Sequence, residues 1–176
     1  MSHEIKQKKP SEDPRYHNTF KLLKRYRDVV WSLEVSVMQV KNKFRIEYEC
    51  SIEDFLESIY VAGADLSGTD IESYAKSIER SHKMLTLLEN SISLLRTKHK
   101  KGEEFYWVLY YTYICPQKLK SVDEIIDNLR PHIRDISSTT YYRIREAAID
   151  ALSFILWGFS SQDTLGALEQ FFPEEQ

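Results

Sequence analysis

The run Ser137-Ser138-Thr139-Thr140-Tyr141-Tyr142-Arg143-Ile144-Arg145-Glu146 gathers side chains suited to recognising a charged, patterned surface. Short hydroxyls and the unpaired backbone N–H groups of a first helical turn match phosphate oxygens. An arginine one turn further in can hold a guanine edge through two parallel hydrogen bonds. Helical spacing sends Tyr141, Ile144 and Ala148 inward, which leaves Thr139, Thr140, Tyr142, Arg143 and Glu146 outward as candidates to read bases. Ser137, Ser138 and Arg145, with the nearby cations Arg134, Lys118 and Lys120, are candidates for phosphate. A plainer alternative stands beside this: hydroxyls ahead of an amphipathic helix are ordinary caps, and Arg143, Arg145 and Glu146 then form a solvated face.

Catalytic chemistry finds little support. His3, His17, His82, His99 and His132 are scattered, and none pairs with another ligand at metal-binding spacing except Glu79 with His82, a pair that chance supplies in a charged helix. There is no nucleophile elbow and no phosphate-binding glycine loop. The expectation is a non-enzyme with no cofactor and no metal. Tyr106, Trp107, Tyr110, Tyr111 and Tyr113 could stack single-stranded bases, but an element that is apolar all round reads first as core.

These residues need helices to position them. The 176 residues include only five glycines and five prolines, while 42 % are hydrophobic and 29 % charged, which points to an all-α fold with long helices. Leu23, Tyr26, Val30, Leu33, Val37, Val40 and Phe44 alternate steps of three and four, a heptad seam within residues 18–48. Ile71, Tyr74, Ile78, Leu85, Leu88, Ile92 and Leu95 repeat it within 69–100, with Ser81 in the polar slot and Gly102 as the stop. Between them, Ile52, Phe55, Leu56 and Ile59 predict a short helix before Gly63 and Gly68. Two matched seams predict a long antiparallel hairpin over 18–100, or pairing between copies.

Residues 103–115 predict a helix buried on several sides and ended by Pro116. Ser121 and Glu124 form a capping box for a short helix over 121–130, with Val122, Ile125, Ile126 and Leu129 inside. A last helix spans 137–157, capped by Ser137 or Ser138, with Tyr141, Ile144, Ala148, Ala151, Leu152 and Ile155 inside and Gly158 as its stop. A buried helix, a short capped helix and a third helix opening on hydroxyls have the order of a helix-turn-helix, which occupies 103–158. The link 131–137 is longer than the usual turn.

The ends are polar. Residues 1–17 read as a disordered basic arm, and 159–176 as an acidic tail with room for a short helix. Net charge is −3, so any nucleic-acid surface must be local. Residues 1–27 carry eight basic and three acidic side chains, and 47–90 carry three basic and ten acidic ones. Two distant cysteines, Cys50 and Cys115, support neither a zinc site nor a disulfide framework and fit a reducing, cytoplasmic setting. No apolar run approaches a membrane span, so no membrane partner is expected.

The segments Ser121–Ile126, Ile136–Arg143 and Arg145–Ala148 resemble the C-terminal module of phage-encoded ArpU-type and RinA-type transcriptional regulators, a module similar to the promoter-reading region 4 of sigma factors. The resemblance covers about residues 103–158 and, more weakly, the hairpin in front; the long link from Pro131 to Asp135 departs from the pattern. It implies a regulator that activates late phage genes from a specific duplex DNA site in a bacterial host, with an RNA polymerase contact among its partners. A homodimer is expected, because one such helix reads only a few base pairs. The alternative from another class is a non-enzymatic helical assembly or packaging protein, such as a small-terminase-like or scaffolding component.

Overall fold

A computed structural model describes residues 13–51, 54, 57, 61–63 and 67–158. The chain is all-α: α1 spans Pro14–Tyr48, α2 Asp70–Lys98, α3 Gly102–Leu109, α4 Val122–Leu129 and α5 Ser138–Trp157. No strand occurs among the described residues. The short helix expected around Ile52–Ile59 and the acidic tail 159–176 lie largely or wholly outside the described residues. No described helix is long and apolar enough to cross a membrane.

α1 begins inside the segment assigned to a disordered arm. Asp13 accepts from the Arg15 N–H at 2.8 Å, and Pro14 takes the first helical position, where its missing N–H costs nothing. Thr69 caps α2 by accepting from the Glu72 N–H at 3.2 Å, and Glu72 returns a bond to the Gly68 N–H. Lys76 and Lys83 each pair with a glutamate one turn earlier, Glu72 and Glu79, on the exposed flank.

The chain divides into two compact units, Met1–Arg25 with Leu88–Gln176, and Tyr26–Leu87. The division falls inside both long helices, not at the 18–100 and 103–158 boundaries that heptad spacing suggests. The first unit holds most of the core. Leu23, Leu88, Leu95, Val108, Leu109, Leu129, Tyr141, Ile149 and Leu152 are sealed from solvent there. In the second unit Tyr26, Phe44 and Leu85 are buried, while the seam residues Val30, Leu33, Val37 and Val40 are half-buried.

Within the first unit the start of α1 lies against the end of α5. Thr19 Oγ1 donates to the Arg15 carbonyl and accepts from Trp157 Nε1 at 3.0 Å, with Ser153 Oγ 2.8 Å away. Thr19 and Ser153 are both buried, so this pairing offsets the cost of desolvating two hydroxyls. The Arg15 guanidinium sits 4.9 Å from the Phe154 ring centre. Trp157 is thus tethered through its ring nitrogen while its ring remains partly exposed.

Burial pushes the Asp150 carboxyl above the usual aspartate range; Asp13 and Glu146 raise it further, and Arg15 opposes them. The charged form is therefore penalised in the folded state. That penalty is absent below the ordinary aspartate pKa of about 4 and complete above the raised folded value. Asp150→Asn is expected to raise Tm at neutral pH, with the gain shrinking to nothing as pH falls below about 4. Melting curves across pH check this, and a gain that stays constant with pH would contradict it.

Two features differ from the sequence expectation. Gly102 does not stop α2; it opens α3, buried, with its N–H bonded to the His99 carbonyl at 2.9 Å. A Cβ there would stand 2.1 Å from the Arg96 carbonyl oxygen, so the glycine exists for close backbone approach. α3 also does not run on as an α-helix to Pro116. It widens into a π-helical turn over Tyr110–Ile114, closed by the Cys115 N–H on the Tyr110 carbonyl at 2.8 Å. The wider turn shifts the following side chains around the axis, and Tyr113 and Cys115 join the core.

Candidate nucleic-acid interface

α4 is built from its cap outward. Ser121 Oγ accepts from the Glu124 N–H at 3.2 Å, and Glu124 reaches back to the Lys120 N–H at 2.6 Å. Ile125, Ile126 and Leu129 are buried, and Val122 is half-buried. The link that follows is pinned in place. The N–H groups of His132 and Ile133 both bond the Leu129 carbonyl at 2.9 Å, and Ile133 and Ile136 plug the core. Asp135 takes a left-handed turn at φ 53°, one that aspartate tolerates better than most residues.

An aromatic brace holds the same link from outside. His132 stacks on Trp107 with ring centres 3.7 Å apart, and Trp107 Nε1 donates to Glu103 at 3.0 Å. Arg96 chelates Glu103 through two nitrogens and lies 4.0 Å from the Tyr106 ring centre. Tyr106, Trp107, Tyr110 and Tyr111 are therefore half-buried, not enclosed on all sides as their composition suggests. Their rings spend their faces on one another, on Arg96 and on His132.

α5 starts at the residue its sequence offers for the purpose. Ser137 Oγ accepts from the Thr140 N–H at 3.2 Å, and the first intrahelical bond runs from the Tyr141 N–H to the Ser137 carbonyl at 2.8 Å. No acidic residue occupies the first turn, so the positive end of the helix dipole is left unneutralised there. Tyr141, Ile144, Ala148, Ile149, Leu152 and Ser153 are buried, and the Tyr141 hydroxyl lies 3.1 Å from Thr112 Oγ1. Ala151 and Ile155, expected inside, are half-buried; Ile149 and Ser153 take the inner positions. Gly158 ends the helix at φ 73°, as its position predicts.

The predicted readers separate into two groups. Ser138, Thr139, Tyr142 and Arg143 are exposed on the first two turns, Tyr142 with 45 % of its surface in solvent. Thr140 is half-buried and its hydroxyl lies 3.0 Å from Ser137 Oγ, so both serve the cap. Glu146 is half-buried and close enough to Tyr16 and Asp150 to raise the pKa of each. It belongs to the side of α5 facing α1. Arg145 is also half-buried. Its guanidinium lies 4.9 Å from the Tyr142 ring centre and 5.8 Å from that of Tyr141, and its Nε is buried without a hydrogen-bond partner. It braces Tyr142 more than it offers itself to phosphate. Arg134, Lys118 and Lys120 are exposed on the segments flanking α4.

Ser137→Ala removes the acceptor for the Thr140 N–H. The expected cost is about 1 kcal/mol of stability, read as a lower urea midpoint with unchanged slope. An unmoved midpoint would show that the cap contributes nothing.

No described group of histidine, cysteine, aspartate or glutamate side chains could hold a metal ion. The arrangement offers an exposed helical face behind a capped, acid-free N-terminus. No protein-family model, curated protein or solved structure matches this chain.

Proposed function

We propose that this protein is a sequence-specific duplex DNA-binding regulator of phage or prophage late genes. It acts as a homodimer in the host cytoplasm, and RNA polymerase is a further partner. The first two turns of α5 enter the major groove. The observation that carries the reading is the division of α5: Tyr141, Ile144 and Ala148 are buried, while Thr139, Tyr142 and Arg143 stand exposed behind a capped, acid-free N-terminus. Buried anchors fix the helix, and the exposed side chains then meet base edges in a set register. Arg134, Lys118 and Lys120 supply phosphate contacts on neighbouring segments. Tyr142, braced by Arg145, offers an apolar edge for a thymine methyl group.

The test is binding to a pool of fluorescent duplexes at two salt concentrations. Tight, site-selective binding that persists at higher salt is expected. Binding that is uniform across sequences and vanishes with salt would mean that only local basic patches touch the phosphates. The exposed Trp31 and Met38 favour a second reading, a helical assembly or packaging protein. Mass in solution separates them, since a closed ring of many copies points to packaging and a dimer to regulation.

A further inference from the structure

On α5, Arg145 follows Tyr142 by three residues and Tyr141 by four, so its side chain shares a face with both rings. The Tyr142 ring is held from two directions. Tyr141 is sealed in the core, with its hydroxyl 3.1 Å from Thr112 Oγ1, and its ring meets that of Tyr142 at 5.1 Å and an interplanar angle of 62°. The Arg145 guanidinium lies over the Tyr142 ring, 4.9 Å from its centre. The rest of Tyr142 remains open, 45 % exposed, beside the exposed Arg143 and one turn beyond the exposed Thr139.

Arg145 does little for the fold. Its Nε is buried without a hydrogen-bond partner, and it forms no ion pair among the described residues. A buried N–H without an acceptor forfeits its hydration and gains no bond in return. Contact with a partly exposed ring offsets only part of that loss. The side chain is thus held at some expense in stability, and what it holds is a ring on the recognition face. A group that destabilises the fold while fixing a contact residue has the energetics of a functional position.

We infer that Arg145 is a positioning residue: without touching DNA, it fixes Tyr142 in the pose that meets a thymine C5-methyl group, and so sets preference at that base pair. The inference rests on the DNA reading of α5 given above. A methyl group is recognised by being covered. A ring already in place covers it at once, whereas a ring free to swing must first be ordered, which weakens the contact.

The experiment uses the full chain and a duplex selected from a random pool. Each thymine is replaced in turn by deoxyuridine, which keeps the pairing and removes only the methyl group. At one position wild type should bind thymine about fourfold tighter than deoxyuridine, the worth of one buried methyl group. Arg145→Met keeps an apolar stem and removes the guanidinium. It should abolish that preference, leave the salt dependence unchanged and unfold in urea no earlier than wild type. Tyr142→Ala should abolish the preference too, and adding Arg145→Met to it should change nothing further. In the free protein, carbon relaxation should show a more mobile Tyr142 ring in Arg145→Met. A thymine preference kept in Arg145→Met, an unchanged ring or an earlier urea midpoint would each overturn the inference. So would equal weakening of both duplexes with a salt dependence lower by about one counterion, the mark of a phosphate contact. A loosened ring in a protein whose wild type selects no duplex would overturn the DNA reading and leave the hold on Tyr142 standing.

Discussion

Arg143→Ala is expected to weaken binding to a specific duplex site by about 1–3 kcal/mol and to relax sequence preference at one base pair. The residue is exposed on the second turn of α5, next to Tyr142 and one turn beyond Ser138 and Thr139. It is neither buried nor part of the cap, so fold stability should stay within about 0.5 kcal/mol of wild type. Lys118→Ala and Lys120→Ala provide the contrast. Each should weaken binding about equally for all sequences and lower the salt dependence by about one counterion. Competition titrations against single-base variants of the site, repeated at two salt concentrations, distinguish these patterns. If Arg143→Ala changed affinity uniformly and reduced the salt slope, Arg143 would be a phosphate contact and the docking of α5 would have to be rotated.

Gly102→Ala is expected to destabilise the fold by about 3 kcal/mol, the upper part of the range for forced overpacking. The added methyl would meet the Arg96 carbonyl oxygen at 2.1 Å, the Leu95 carbonyl oxygen at 2.6 Å and the Arg96 carbonyl carbon at 2.7 Å. All three are backbone atoms, so no side-chain rotation relieves the clash. The turn between α2 and α3 must open instead. Opening it pulls on the Arg96–Glu103 pair, and through Glu103 on Trp107 and its stack with His132. The substitution should therefore lower the urea midpoint and also weaken specific binding, although Gly102 lies outside the recognition face. A stability equal to wild type would mean that the two helices can part there without cost.

Much of the fold is legible in the sequence because it is written in local signals. Heptad steps mark α1 and α2, the Ser121–Glu124 box opens α4, and Ser137 and Gly158 bracket α5. Each is a short-range rule about hydrogen bonds or φ angles, so one sequence suffices to apply it. What escapes is set by residues distant in the chain. The π turn at Tyr110 places Tyr113 in the core, edge-on to the half-buried Phe20 ring, and no spacing within residues 103–115 announces it. The Thr19–Ser153 pairing joins the two ends of the described chain.

The candidate site divides in the same way. Exposure of Thr139, Tyr142 and Arg143 follows from helical periodicity once Tyr141 and Ile144 are known to face inward. The fates of Arg145 and Glu146 do not. Arg145 is taken up by the Tyr142 ring, and Glu146 by the approach of α1, contacts that only the assembled unit supplies. The link 131–137 is longer than the usual turn between such helices. Ile133, Ile136 and the Trp107–His132 stack give it fixed anchor points. The start of α1 is signalled locally by Asp13-Pro14, a cap followed by the residue best suited to a first turn.

The proposed docking sets the first two turns of α5 in a duplex groove. Backbone amide chemical shifts, followed residue by residue as a selected duplex is titrated into the isotope-labelled full-length protein, test it most directly. The largest changes should fall on Ser137–Glu146, with smaller ones at Lys118, Lys120 and Arg134. Changes confined to the basic stretches near Lys21–Arg27 and Arg96–Lys101, with Thr139–Arg143 unmoved, would contradict it and leave α5 as a structural helix with a polar outer face.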